Sequence, residues 1–285
     1  MAYMIPKIIH YCWFGGNPLP DDAKRCIESW RKYFPDYEIK QWNESNFDVT
    51  YCDYVHEAYQ AKKWAFVSDY ARLWIIYHYG GLYFDTDVEV IKPMDDLIQK
   101  GPFMGEEAGQ PYNNKSECNP GLGLAAAPGL GLAAAPGLGL YDELINYYNT
   151  QHFLNLDGSL NTETIVTRTS EVLRKHGFTG DGTIEYINGI YIYPPEYFCP
   201  VNFFTGKISI TENTRSIHHY SSTWLSGLDI VILHIERCNY GKDSWEYKLR
   251  RLVSLPFRVV RKFKTQGICG VKAAIIKRMH REINY

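Results

Sequence analysis

The sequence predicts an α/β domain with a largely parallel sheet over residues 1–244, followed by a basic helical tail over residues 245–285. Three observations carry this reading. Short apolar runs alternate with amphipathic stretches from residue 5 to about residue 193, the pattern of strands crossing over through helices. The chain has 285 residues, 45% of them hydrophobic, enough for one large core with an appendage. Residues 245–285 hold 11 Lys or Arg against 2 Asp or Glu, a net of +9, so the whole-chain value of −2 leaves −11 on residues 1–244.

The elements follow in order. Ile5 to Trp13 is a mostly apolar first strand. Pro20 and Asp21 open an amphipathic helix with Ala23, Ile27 and Trp30 on one face, ended near Pro35. Tyr37 to Trp42 is a second strand. Ala65 to Tyr79 runs at helical period, and Gly80-Gly81 closes it. Leu82 to Phe84 is a strand with Asp85-Thr86-Asp87 at its end, and Val88 to Ile91 continues extended. Tyr141 to Tyr148 and Thr162 to His176 are helical, and Ile184 to Tyr193 is a strand pair turning at Asn188-Gly189. Between them an octet, Pro-Gly-Leu-Gly-Leu-Ala-Ala-Ala, occurs at 120–127 and 128–135, with a third copy begun at Pro136. Two copies are too few for a solenoid. A flexible lid is one reading; we favour a local duplication that lengthens a strand-to-helix connection.

Composition excludes several classes. The chain is too apolar for a disordered protein, and its glycine and cysteine contents exclude collagen and disulfide scaffolds. Near-neutral charge argues against whole-molecule nucleic-acid binding. The seven cysteines stand singly, without C-x-x-C spacing, and read as reduced thiols rather than a zinc or redox pair. Met1 to Phe14 lacks the basic-then-apolar layout of a leader, and no apolar run reaches the ~20 residues a membrane span needs. The expected location is cytoplasmic, with peripheral attachment at the inner membrane face as an extension.

Four groups of residues carry chemistry. Asp85 and Asp87 lie two residues apart at a strand's carboxyl end, where open α/β sheets bind ligands. Such a pair holds a divalent ion through oxygen, or it is a solvated turn. Ala65, Ser68, Asp69 and Arg72 share one helix face. Asp69 and Arg72 are either an ion pair fixing the helix or ligand-binding charges, and the apolar residues around them favour burial with a partner or a task. His218 and His219 with Ser222 and Trp224 offer a metal ligand and phosphate donors, or simply exposed polar groups. Trp13, before Gly15-Gly16, stacks on a base or is a core tryptophan.

Taken together, Ile5–Gly16, Ala65–Arg72, Gly80–Asp87 and His219–Trp224 resemble the DXD-containing glycosyltransferases of family 32, and more distantly the glucosylating domains of large clostridial toxins. The stretch Ser68–Asp87 is the most specific part. The resemblance implies a GT-A nucleotide-sugar-binding fold and retention of anomeric configuration. It places Trp13 on the nucleobase, Asp69 and Arg72 on the donor sugar, and Asp85 on ribose or sugar. Asp87 would ligate Mn²⁺ or Mg²⁺ with Asp85 nearby, and His219 would be the second ligand. Ser222 and Trp224 would touch the diphosphate, and Ser68 lies on the same donor-facing helix side. The partners implied are a UDP- or GDP-hexose donor and a saccharide or glycolipid acceptor in surface polysaccharide or capsule synthesis.

The other readings of these residues are a sugar nucleotidyltransferase and a non-catalytic carbohydrate-binding protein. A nucleotidyltransferase calls for a Gly-rich, Lys/Arg-containing loop after the first strand, of which Trp13–Asn17 is a poor version. The tail interleaves its basic residues with Leu249, Leu252, Val253, Phe257, Val260 and Phe263. It is either a basic amphipathic segment for an anionic membrane surface or a helix packed on the domain.

Overall fold

A computed structural model describes residues 4–109, 115–126, 138–203, 205–221, 227–236, 244–261 and 263. Its elements are β1 (Ile8–Cys12), α1 (Asp21–Tyr33), β2 (Glu38–Trp42), α2 (Asp53–Gln60), α3 (Trp64–Tyr79), β3 (Gly81–Tyr83), β4 (Val88–Val90), α4 (Asp95–Lys100), β5 (Phe103–Glu107), β6 (Glu117–Ala126), α5 (Leu138–Asn149), α6 (Ile165–Lys175), β7 (Glu185–Ile187), β8 (Ile190–Tyr193), α7 (Pro195–Phe198), β9 (Ser216–His218) and α8 (Gly227–Glu236). Two compact units are distinguished: residues 1–203 with 207–221, and residues 204–206 with 222–285. The first carries every strand. The second carries α8 and the helical residues 245–261.

Seven strands form one sheet in the order β2-β1-β3-β6-β5-β8-β7. β1, β2, β3, β5 and β8 run one way, and β6 and β7 run against them. The α/β class with a mostly parallel direction is therefore as the sequence predicts. Successive side chains of β1 and β3 alternate between two buried clusters, as the period of two requires. Ile9, Tyr11, Leu82 and Phe84 pack with Trp30 of α1, while Cys12 and Tyr83 pack with α3, α5 and α6.

Local chemistry explains the boundaries. α1 begins after Pro20 with Asp21 and Asp22 in its first turn and ends on Arg31 and Lys32, which complements the helix dipole. α3 buries Phe66, Val67, Tyr70, Leu73, Ile75 and Ile76 and stops at Gly80, whose φ of 64° suits glycine. A Cβ on Gly81 would stand 2.6 Å from the Ile8 carbonyl oxygen, so the helix-to-strand turn needs the second glycine as well. Asn188 and Gly189, at φ 45° and 90°, close the β7–β8 hairpin as a primed turn.

Two expectations change. Val88 to Ile91 does not extend β3 within the main sheet; β4 leaves it and pairs with β9, Val88 opposite His218. The Trp30 indole donates to the Val88 carbonyl at 2.7 Å, and Val90 N–H donates to Ser29 Oγ, so α1 holds this departure. Residues 120–126 of the first octet are not a connection but the later part of β6, between β3 and β5. Its pairing with β5 jumps from Met104↔Leu124 to Gly105↔Asn119, so Pro120–Gly123 bulge out of the ladder. The bulge also accommodates Pro120, which cannot donate to a neighbour. The second octet lies outside the described residues.

Candidate active site

The strand-end acids are built into the structure from α3, β3 and the β6 bulge. Asp85 N–H donates to the Gly121 carbonyl at 2.9 Å, and Val88 N–H returns to the Asp85 carbonyl at 3.0 Å, closing a turn over Thr86 and Asp87. Asp85 Oδ2 lies 3.0 Å from Arg72 Nη1, and its Oδ1 accepts from the Tyr83 hydroxyl at 3.1 Å. Arg72 Nη2 lies 3.1 Å from Asp69 Oδ1, and its Nε donates to the Ser68 carbonyl. Arg72 is 4% exposed and Asp69 8%, which excludes a surface pair. The guanidinium thus bridges the helix acid and the first acid of the motif.

The electrostatics follow from that bridge. Burial would lower the Arg72 pKa, but Asp85, Tyr83 and Asp69 more than offset it and hold the guanidinium charged. Burial pushes Asp69 up to about 6, against the pull of Arg72. Gly121 completes the arrangement by having no side chain: a Cβ there would lie 1.9 Å from Asp85 Oδ2 and 2.7 Å from Arg72 Nη1.

Asp87 sits in a second arrangement. His218 Nε2 lies 3.2 Å from its Oδ1, Ser221 N–H donates to its Oδ2 at 2.9 Å, and His219 N–H donates to its carbonyl at 3.0 Å. Burial alone would raise this carboxyl; His218 and the Ser221 N–H override it and hold it well below the usual range. Burial disfavours a charged His218, but Asp87 more than compensates and raises its pKa. The ring of His219, the expected second ligand, turns elsewhere, with Nε2 2.8 Å from Glu89 Oε2. The β4–β9 ladder explains the exchange: it sets His218 opposite Val88, while its neighbour projects outward.

Of the other expected residues, Ser68 is part-buried and its hydroxyl bonds back to the Trp64 carbonyl. Trp13 is half-buried just after β1, its indole donating to the Asn17 carbonyl at 2.7 Å. Ser222 and Trp224 lie outside the described residues. Tyr83, Asn119 and Gly121 join the site without having been singled out for it, and of the histidine pair it is His218 that meets Asp87. Asn119 accepts from Gly121 N–H and donates to Glu107, tying the bulge to β5. The one sequence signal for this set was the unusual glycine content of the octet.

The site is thus an acid pair beyond a strand end, one member clamped by a buried arginine. Residues 20–104 match the family model described as the glycosyltransferase sugar-binding region containing DXD motif. The resemblance read from Ser68–Asp87 falls inside the matched segment. Among relatives, inositol phosphoceramide mannosyltransferase 1 of Schizosaccharomyces pombe is 32% identical over 35% of this chain and 33% of its own length. Inositol phosphoceramide mannosyltransferase 3 of the same yeast is 34% identical over 33% of this chain and 27% of its own. The chain thus spans about a third of the length of the curated relatives it matches. Among solved structures, the PaToxG glycosyltransferase is 16% identical with a TM-score of 0.41, over 60% of this chain and 69% of that one.

The residues fit a hard divalent ion. Asp85 and Asp87 are part-exposed carboxylates with lone pairs beyond the hydrogen bonds described above, a donor set suited to Mn²⁺ or Mg²⁺.

Proposed function

We propose that the protein is a metal-dependent retaining glycosyltransferase of GT-A type that moves a hexose from a nucleotide sugar to a saccharide or glycolipid acceptor. The observation that carries the reading is Arg72 between Asp69 and Asp85, with Asp87 two residues on. Asp87 with Asp85 would hold Mn²⁺ or Mg²⁺, which when bound neutralises charge gathering on the leaving diphosphate. Ser68, Asp69, Arg72 and Asp85 orient the donor sugar and ribose, Trp13 stacks on the base, and Ser222 and Trp224 donate to phosphate. His219 must exchange its Glu89 contact to join a bound ion. The bond from the anomeric carbon to the diphosphate oxygen breaks as the acceptor oxygen attacks the same face. The acceptor's proton passes to the leaving phosphate, so no covalent nucleophile is required.

The two yeast relatives are named inositol phosphoceramide mannosyltransferases, so a mannosyl donor and a lipid-linked acceptor head the candidates. Surface polysaccharide or capsule synthesis is the setting in which we place the reaction. Residues 1–244 serve as the catalytic domain and 245–285 as a tail for the anionic cytoplasmic membrane face. A sugar nucleotidyltransferase is disfavoured by the loop after β1. There Gly15 N–H is taken by the Glu44 carboxylate at 2.6 Å, which would repel a phosphate.

A thermal-shift panel of UDP- and GDP-hexoses, each with and without Mn²⁺, tests the reading. One donor should raise the melting temperature in a Mn²⁺-dependent way, by the equivalent of about 2.7 kcal/mol at a hundredfold excess over Kd. Asp87→Asn should abolish both this shift and donor turnover. A flat response across all donors would reject the assignment.

A further inference from the structure

β5, α7 and β9 bring three potential ligands to one point. One ligand atom each from Glu107, Cys199 and His218 lies within 4.8 Å of the other two. Cys199 is 1% exposed and His218 8%. His218 uses Nε2 on Asp87, while its buried Nδ1 has no hydrogen-bond partner among the described residues. An orphaned ring nitrogen in such a position is rare, because buried polar groups are nearly always satisfied. Tyr220 adds its hydroxyl, 3.0 Å from Cys199 Sγ and 3.2 Å from Glu107 Oε2. Its backbone is left-handed at φ 50°, a conformation unfavourable for tyrosine and held here by its surroundings.

We propose that Glu107, Cys199 and His218 form a binding site for a thiophilic divalent cation of the zinc class, separate from the oxygen pair Asp85 and Asp87. Sulfur, imidazole and carboxylate together are a zinc set, whereas Mn²⁺ and Mg²⁺ prefer oxygen. Bonds of about 2.0–2.3 Å to a tetrahedral ion place the donors roughly 3.5 Å apart, so from separations within 4.8 Å the cluster closes by at most about 1.3 Å. Binding releases the Cys199 thiol proton, and any proton on Nδ1, to solvent. Asp87 on Nε2 then plays the part of the outer carboxylate that orients a metal-bound histidine. The site would fix β9 against the ends of β5 and α7 and, through His218, the position of Asp87. It does not depend on the donor proposed above.

Cobalt reports on the site directly. Full-length protein, stripped with a chelator, is titrated with Co²⁺ while near-ultraviolet thiolate-to-metal absorption is recorded. The band should saturate at one ion per chain, vanish on addition of one equivalent of Zn²⁺, and be absent in Cys199→Ser. Cys26→Ser should retain it. Glu107→Gln should keep the wild-type circular dichroism yet weaken Co²⁺ binding at least about tenfold. That comparison stands even if Cys199→Ser fails to fold. Absence of the band in wild type, its persistence in Cys199→Ser, or unchanged affinity in Glu107→Gln would overturn the proposal. Loss of Mn²⁺-dependent donor binding with the cobalt band intact would reject the transferase reading alone.

Discussion

Gly121 occupies a position where no side chain fits, because Asp85 and Arg72 meet across it. Gly121→Ala must displace one of them. Overpacking of this kind costs about 1–3 kcal/mol, read as a lower urea midpoint, and donor affinity should fall with it. His10 is the opposite case, a buried polar residue whose every polar atom is used. The Trp42 indole donates to Nδ1 at 3.0 Å, so the ring is neutral and Nε2–H donates to the Gly80 carbonyl. Burial lowers its pKa from 6.5 to about 4. Between those values the unfolded chain binds the proton and the folded one does not, so this contribution is lost as pH falls from 6.5 through 4. The loss is on the order of 3 kcal/mol. Asp69 and Glu106, pushed up to about 6 and about 7 by burial, act in the opposite sense. The pH dependence of unfolding in wild type minus that in His10→Gln isolates the histidine. A difference that stays constant from pH 7 to 4 would refute the assignment.

At the scale of elements, the helix over residues 245–261 carries a test of its own. Trp245, Leu249, Leu252, Val253 and Val260 are exposed at helical spacing, and Phe263 follows. Lys248, Arg251, Arg258 and Arg261 lie among them. A basic residue near an anionic surface contributes about 1 kcal/mol, and the apolar stripe adds burial in the interface. The full chain should float with phosphatidylserine-containing vesicles and lose that at high salt. Leu249→Asp/Leu252→Asp should remain in the soluble fraction, and equal flotation would dismiss the membrane role. No helix among the described residues is long and apolar enough to cross a membrane. Elements also decided the acid pair's surroundings: β4 had to leave the main sheet for β9 to bring His218 to Asp87.

For the molecule as a whole, the charge of −2 divides into −11 on residues 1–244 and +9 on residues 245–285. What was legible from sequence was what lies close along the chain. α3, the Gly80-Gly81 turn, β3 and the acid pair all fall between residues 64 and 87, where periodicity, a glycine stop and a strand end leave local marks. The same stretch lies within the family match. Glu107, Asn119, Gly121 and Cys199 left no such mark, being spread over about ninety residues. The octet's glycines suggested a repeat in a connection, and the lone cysteines suggested inert thiols. By itself the sequence determined the α/β class, the helix face with Asp69 and Arg72, and the position of Asp85 and Asp87 at a strand end, because each follows from neighbours within a few turns. Only the tertiary structure decided that His218 rather than His219 meets Asp87, that the octet is a bulged central strand, and that Glu107 and Cys199 converge behind it. Those outcomes depend on which strands pair and where the register slips, and non-local pairing is set by the packing of the whole sheet.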